Sequence, residues 1–284
     1  MTAARLDGRA VAAGILAEVE ERVRARTGAG LPTPHLAVVL VGHNEASETY
    51  VRGKHRDAER VGMTSSDHRL PVTATTEDVV GLVASLNGDP EVSGVLVQQP
   101  LPPQVSVAAT VEAVDPVKDV DGFHPVSAGR LLLGQPGLVA CTPAGILRIL
   151  DHYGVGLEGC RAVVVGRSNL VGKPVALLLL GRNATVTVCH SRTLDLPAIC
   201  RKADVLVVAI GRLWFVQPDW VKPGATVIDV GVNRRPDGRL GGDVHPGVAE
   251  VAGGLTPVPG GVGPVTRAML MANTCQAEEA RRPG

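Results

Sequence analysis

The string HLAVVLVG (35–42) is a continuous apolar, β-branched run that stops at a glycine. That is the pattern of a strand buried on both faces of a parallel sheet. A mixed stretch from about Ala46 to Val61 follows with helical spacing and closes at Gly62. TTEDVVGLVASLNGD (75–89) opens on a threonine and acids, carries apolar residues at helical intervals and ends on Asn-Gly, which predicts a helix with both ends signalled. SGVLVQQPLP (93–102) predicts a short strand halted by prolines. Ahead of these, ILAEVEERVRAR mixes acids and bases into an apolar helical period. Alternating strands and helices predict an α/β layer with right-handed crossovers.

The pattern lapses over residues 115–143, DPVKDVDGFHPVSAGRLLLGQPGLVACTP. Proline, glycine and aspartate dominate there, and the segment reads as an ordered connection between domains. TPAGILRILDHYG then predicts a helix with Pro143 near its first turn. From Cys160 a second alternation begins: RAVVVG as strand, GKPVALLLLGR as helix, ATVTVCH as strand, DLPAICRKA as helix, DVLVVAIG and ATVIDVG as strands. This is a dinucleotide-binding rhythm. A last amphipathic helix, about Pro264 to Ala280, follows the glycine-rich PVPGGVGP, and its position allows it to pack back on the first domain.

Composition narrows the class. Apolar residues at 45% against 20% charged support a globular core. Lys+Arg and Asp+Glu balance at 28 each, so no global field draws nucleic acid or an anionic membrane. Aromatics at 2% argue against a base-stacking platform. The apolar run Val175–Leu180 is far too short to span a bilayer, and the N-terminus lacks a signal-peptide pattern, so a cytoplasmic location is expected. The five cysteines, Cys141, Cys160, Cys189, Cys200 and Cys275, contain no CxxC pair and read as buried free thiols. The eight histidines show no ligand pattern, and no metal is expected.

Four strings carry candidate chemistry. VVVGRSNLVGKP (163–174) places a tight turn between strand and helix, where free backbone N–H groups and the helix dipole face a phosphate. Gly166 permits the turn and Gly172 a close approach, but Ser168 stands where GxGxxG has its second glycine. The next strand ends CHSRT, without the acid that an NAD ribose prefers. Arg167, Ser191 and Arg192 favour a 2′-phosphate there, hence NADP over NAD, although Arg192 alone is also an ordinary exposed arginine. KDVDGF (118–123) sets Asp119 and Asp121 near each other, as a pair of bases or as an Asp-Gly turn. PVPGGVGP (257–264) lets backbone approach a ligand, or simply makes a rigid loop before a helix. Finally, YVRGK (50–54) puts Tyr50 and Lys54 on one helical face, where an aromatic ring can stack on a planar ligand while the amine reaches its reacting atoms. By spacing alone, a solvated charged face is the commoner origin of such a string.

ASETYVRGK, GVLVQQPLP, PVKDVDGFHP, CTPAGI, VVVGRSNLVGKPVA, DVGVN and TPVPGGVGPVT occur in this order over nearly the whole chain. Together they resemble the bifunctional methylenetetrahydrofolate dehydrogenase/methenyltetrahydrofolate cyclohydrolase family. The resemblance implies two α/β domains flanking a cleft, the second a Rossmann-type parallel sheet. Residues 1–139 would form the folate-binding catalytic domain, joined by the C-terminal helix 265–284, and 140–264 the NADP-binding domain. It implies oxidation of 5,10-methylenetetrahydrofolate with NADP⁺, hydrolysis of the methenyl product to 10-formyltetrahydrofolate, and a homodimer.

Residue by residue, Tyr50 matches the family's folate-stacking tyrosine, Lys54 the catalytic lysine, Gln98 the glutamine that tunes it and Asp121 the aspartate that holds the pterin. Gly263 and Pro264 match a folate-pocket loop. Gly166, Arg167 and Ser168 match the phosphate turn, and Ser191 and Val232 further NADP contacts. The chain departs from the pattern at Ala140 for proline, Ser127 for asparagine, Gln99 for an apolar residue, Val265 for methionine, and in the bulky RLWF (212–215), which could touch the cofactor. Two other readings share the architecture: an NADP dehydrogenase resembling shikimate dehydrogenases, and a non-catalytic binding protein. YVRGK with VQQPLP has no reason to occur in the first, and a tuned lysine none in the second.

Overall fold

The computed structural model describes residues 2–43 and 45–282. In chain order, β1 (Ala4–Arg5) and α1 (Gly8–Gly28) lead into β2 (His35–Val41), α2 (Glu45–Arg60), β3 (Thr64–Leu70), α3 (Thr76–Gly88) and β4 (Gly94–Val97). Three helices follow, α4 (Val107–Ala113), α5 (Pro125–Leu132) and α6 (Cys141–His152). The second alternation is β5 (Arg161–Val165), α7 (Gly172–Gly181), β6 (Thr185–Cys189), α8 (Leu196–Cys200), β7 (Val205–Val208) and β8 (Thr226–Asp229). Short strands β9 (Asn233–Arg234), β10 (Leu240–Gly241) and β11 (Gly254–Leu255) precede the long α9 (Val262–Arg281).

The chain forms two compact units, one of Ala13–Cys141 with Arg267–Gly284 and the other of Met1–Ala12 with Thr142–Thr266. Residues 1–12, expected with the N-terminal domain, therefore group with the later unit. The reason is local. β1 pairs in parallel with β11, Leu6 is buried, and the backbone of Gly8 lies so close to Gly261 that a Cβ there would overlap its carbonyl.

In the first unit, β2 lies between β3 and β4, all parallel. The apolar run of β2 is buried because it is the central strand, and Val79, Val83 and Leu86 of α3 pack on it with Val92 and Val95. Thr75 caps α3 with a reciprocal capping box to Asp78. The later part of α9 packs on this unit as anticipated. Glu278, 1% exposed, pairs with Arg26 at 3.2 Å and accepts from the Ser93 hydroxyl at 2.9 Å. Asn273 donates to the carbonyls of Val120 and Val139.

The second unit is a six-stranded sheet ordered β1-β11-β8-β7-β5-β6, parallel in every pairing. Starting from β5, the order is second, first, third, fourth, fifth. Doubly wound sheets of that order change direction between their first and third strands, and ligands collect at the carboxyl ends there. Here that point lies between β5 and β7.

Candidate active site

Three side chains that are far apart in sequence meet in the first unit. Lys54 sits on α2, the helix that follows β2. Gln98 directly follows β4, and its N–H extends the ladder by donating to the Val39 carbonyl at 2.9 Å. Lys54 Nζ donates to Gln98 Oε1 at 2.8 Å, while Gln98 Nε2 donates to the Gln99 carbonyl at 2.5 Å. The second bond orients the amide, so that its oxygen faces the amine.

Asp121 completes the group. Burial pushes the Lys54 amine below its ordinary value, Asp121 opposes that shift, and Arg267 adds to it. The Asp121 carboxyl is raised to about 6 by burial, against the pull of Lys54. Taking either charge out of water disfavours its ionised form, and a buried opposite charge compensates only in part. The pair therefore sits closer to neutrality than either residue would in water.

The KDVDGF string resolves into separate jobs. Lys118, 2% exposed, donates to the carbonyls of Leu86, Asn87 and Asp89 and so closes the end of α3. Asp119 accepts from the N–H groups of Phe123 and His124 and from the Ser127 hydroxyl at 2.7 Å, pinning the following turn. It is a structural carboxylate, and Ser127 is the partner that keeps it satisfied. Gly122 has φ +74°, and a Cβ there would meet the Ala140 backbone nitrogen at 2.3 Å. The passing segment 139–141 thus fixes the turn that presents Asp121. The Val120 carbonyl accepts from Cys141 Sγ at 3.3 Å as well as from Asn273. Cys141 is buried, with its thiol pushed well up by burial and by Asp121. Among the other cysteines only Cys160 is partly exposed.

Tyr50 lies one helical turn before Lys54 and is 47% exposed, an open aromatic ring on the same face. Arg52 is exposed, with its guanidinium 3.9 Å from Glu48. The glycine between them and Lys54 has a reason that spacing did not show. A Cβ on Gly53 would stand 2.4 Å from Nη1 of Arg267, so the Arg267 guanidinium lies where it does because this position is bare.

In the second unit, Gly166 follows β5 with φ +129°, and a Cβ would strike the Ala209 carbonyl at 2.3 Å. Gly172 likewise lies under the Gly166 carbonyl, where a Cβ would approach to 2.2 Å. Ser168, in place of the second glycine, accepts at Oγ from the N–H groups of Val171 and Gly172, so its hydroxyl closes the turn that leads into α7. Arg167, Ser191 and Arg192 are exposed around this turn, and Val232, after β8, is 53% exposed. Gly263 and Pro264 lie in the first turn of α9, grouped with this second unit. A Cβ on Gly263 would meet open space, so packing does not require that glycine.

One residue the sequence did not single out organises the loop after β7. Asp243, fully buried, accepts from the N–H groups of Ile210, Gly211 and Arg212 at 2.7–3.0 Å and from Asn233 Nδ2 at 2.9 Å. Its own N–H donates to Asp229, whose carboxyl burial raises to about 7. The GGDV string is the signal, an aspartate directly after two glycines: a Cβ on Gly242 would collide with the Asp229 carboxylate, and one on Gly231 with that of Asp243. In RLWF, Arg212 lies over the Phe215 ring at 4.4 Å and Arg235 over Trp214 at 5.3 Å, so much of the bulk is spent on internal packing.

Fold and site define a two-unit α/β enzyme with a doubly wound sheet and a half-buried lysine held by a glutamine. Residues 6–121 match the family model for the tetrahydrofolate dehydrogenase/cyclohydrolase catalytic domain, and residues 140–282 that for its NAD(P)-binding domain. The bifunctional protein FolD of Koribacter versatilis is 53% identical, with 99% of each chain aligned. The crystal structure of the bifunctional dehydrogenase/cyclohydrolase FolD from Campylobacter jejuni superposes with a TM-score of 0.95 at 43% identity, covering 97% of this chain and 98% of that one. The Trypanosoma brucei methylenetetrahydrofolate dehydrogenase-cyclohydrolase, solved with NADP cofactor and inhibitor, gives 0.93 at 37% identity over the full length of both. The chain belongs to the tetrahydrofolate dehydrogenase/cyclohydrolase family, and is a bifunctional methylenetetrahydrofolate dehydrogenase and methenyltetrahydrofolate cyclohydrolase. Among the described residues no helix is long and apolar enough to cross a membrane.

Proposed function

We propose that Lys54, hydrogen-bonded to Gln98 and coupled to Asp121, is the proton carrier of the cyclohydrolase step. The observation that carries this is the 2.8 Å bond from a half-buried lysine of depressed pKa to a side chain amide. The methenyl substrate is a cation delocalised over two nitrogens. A permanently charged ammonium beside it would repel it, whereas a near-neutral amine can take a proton from the attacking water and return it to the departing ring nitrogen. Gln98 suits a partner that cycles, because its oxygen accepts from either form of the amine. Tyr50 offers a ring face to the folate, and Asp121 accepts from pterin N–H groups. Gly263 and Pro264 are the proposed folate-loop residues on the family pattern.

NADP fits the second unit's residues. Gly166 makes the tight β5 turn that a pyrophosphate would face, and Arg167, Ser168, Ser191 and Arg192 supply cations and hydroxyls for a 2′-phosphate, with Val232 as a further contact. NADP⁺ supplies the hydride acceptor. Hydride transfer asks a protein mainly for alignment of the two reactants. We place the enzyme in the cytoplasm as a homodimer that binds no nucleic acid, and sedimentation should give twice the chain mass.

The deciding experiment follows reduced nicotinamide and the methenyl chromophore separately with methylenetetrahydrofolate. The wild type should use NADP⁺ in preference to NAD⁺. Lys54→Met should abolish methenyl hydrolysis while leaving NADP binding intact, and unchanged hydrolysis in that variant would refute the assignment.

A further inference from the structure

The lysine assignment leaves a neighbouring charge unexplained. Asp57 stands three residues after Lys54, so the two side chains are neighbours on α2. A carboxylate there is the natural partner for a lysine ammonium, yet the Lys54 amine is bonded to Gln98. Asp57 is taken by Arg267 of α9, whose Nε lies 3.0 Å from Oδ2. That nitrogen is buried and makes no directed hydrogen bond, so the pair is held by charge and packing. The guanidinium passes α2 at Gly53, the residue before Lys54, where a Cβ would stand 2.4 Å from its Nη1 and displace it from this position.

We propose that Arg267 is a positioning residue for Lys54: it holds the Asp57 carboxylate on the Gly53 face of α2 and so leaves the Lys54 amine to Gln98. The reading rests on the proton-carrier role given to Lys54. All the charges around Lys54 belong in the account. Asp121 favours the ammonium and Arg267 opposes it, while the Cys141 thiol, pushed well up by burial, stays protonated and carries no charge. Asp57 is itself flanked by Arg56 and Arg60, and β3 contributes Asp67, which is paired with His55 at 2.6 Å. With Arg267 removed, one opposing cation is lost and one carboxylate is released, and both changes favour protonated Lys54.

The test is Arg267→Gln, alone and with Asp57→Asn, assayed for methenyl hydrolysis across pH with the uncatalysed rate subtracted. Arg267→Gln should lose roughly tenfold at neutral pH and recover as the pH rises, because deprotonation restores the working amine. The double variant should return toward the wild-type profile. A loss equal at every pH, no loss, or a double variant as defective as the single one would overturn the proposal. If the single variant does not fold, the double variant decides, since a profile displaced to high pH there also counts against it. NMR titration of the Lys54 side chain without substrate reads the positioning separately from catalysis: an unmoved titration sinks the role of Arg267, whereas hydrolysis surviving in Lys54→Met sinks only the role of Lys54.

Discussion

Asp121 shows how a single residue trades stability for binding. Its carboxyl is raised to about 6, so between the ordinary carboxylate value and that pH the folded protein keeps a proton that the unfolded chain has released. The sign follows. The associated stability is fully present at low pH and is lost as pH rises through about 6. Asp121→Asn should therefore melt higher than the wild type at pH 7.5, by on the order of 2–3 kcal/mol, with the gap narrowing as pH falls below about 6 and closing only near the ordinary carboxylate value of about 4. The same variant should bind folate substrate much more weakly at pH 7.5. A melting difference independent of pH would show that burial of the ionised carboxylate is not what costs stability. Lys54 and Asp121 were named from matching motifs, because no spacing rule links residues on α2 and on a turn 67 positions later. What spacing could not separate was Asp119 from Asp121. The structure does, through the three donors that Asp119 already satisfies.

At the scale of elements, the apolar strands and capped helices were legible because each writes its burial into its own sequence. The run of β2, the capping box of α3 and the second alternation all stand close to where the pattern placed them. β3 was not legible. TSSDHRL is polar at nearly every position, because this edge strand pairs only with β2 and bonds its side chains to its neighbours. The segment read as a connection likewise holds α5 and a bridge between Val95 and Asp119. Lys118 in that segment ties two elements together. Its ammonium meets three carbonyls at the end of α3, where the helix dipole also favours a cation. Lys118→Met would keep the volume and leave those carbonyls without a donor, at a cost on the order of 3 kcal/mol. Thermal melting should fall accordingly, while the KM for folate in the folded fraction stays near that of the wild type. A melting point equal to the wild type would mean that water replaces the ammonium at no cost.

For the molecule as a whole, the two units are not two halves of the sequence. Helix α1 begins in one unit and continues in the other, because β1 and Gly8 are bound to β11 and Gly261 while the rest of the helix carries the core of the first unit. Neither the hydrophobic period nor the motif order announces this. A two-residue strand has no pattern of its own, and the need for glycine at position 8 appears only once residue 261 lies against it. Two glycines on this one helix should consequently respond in opposite directions. Gly8→Ala sets a methyl group against the Gly261 backbone, which has no rotamer to yield, and should destabilise by about 3 kcal/mol or more. Gly14→Ala, six residues along, meets open space on an exposed helical position and should stabilise by up to about 1 kcal/mol. Paired melting curves check both. Equal and small effects would mean that the N-terminal segment does not depend on its seat against residue 261, and that α1 is held through its later turns alone.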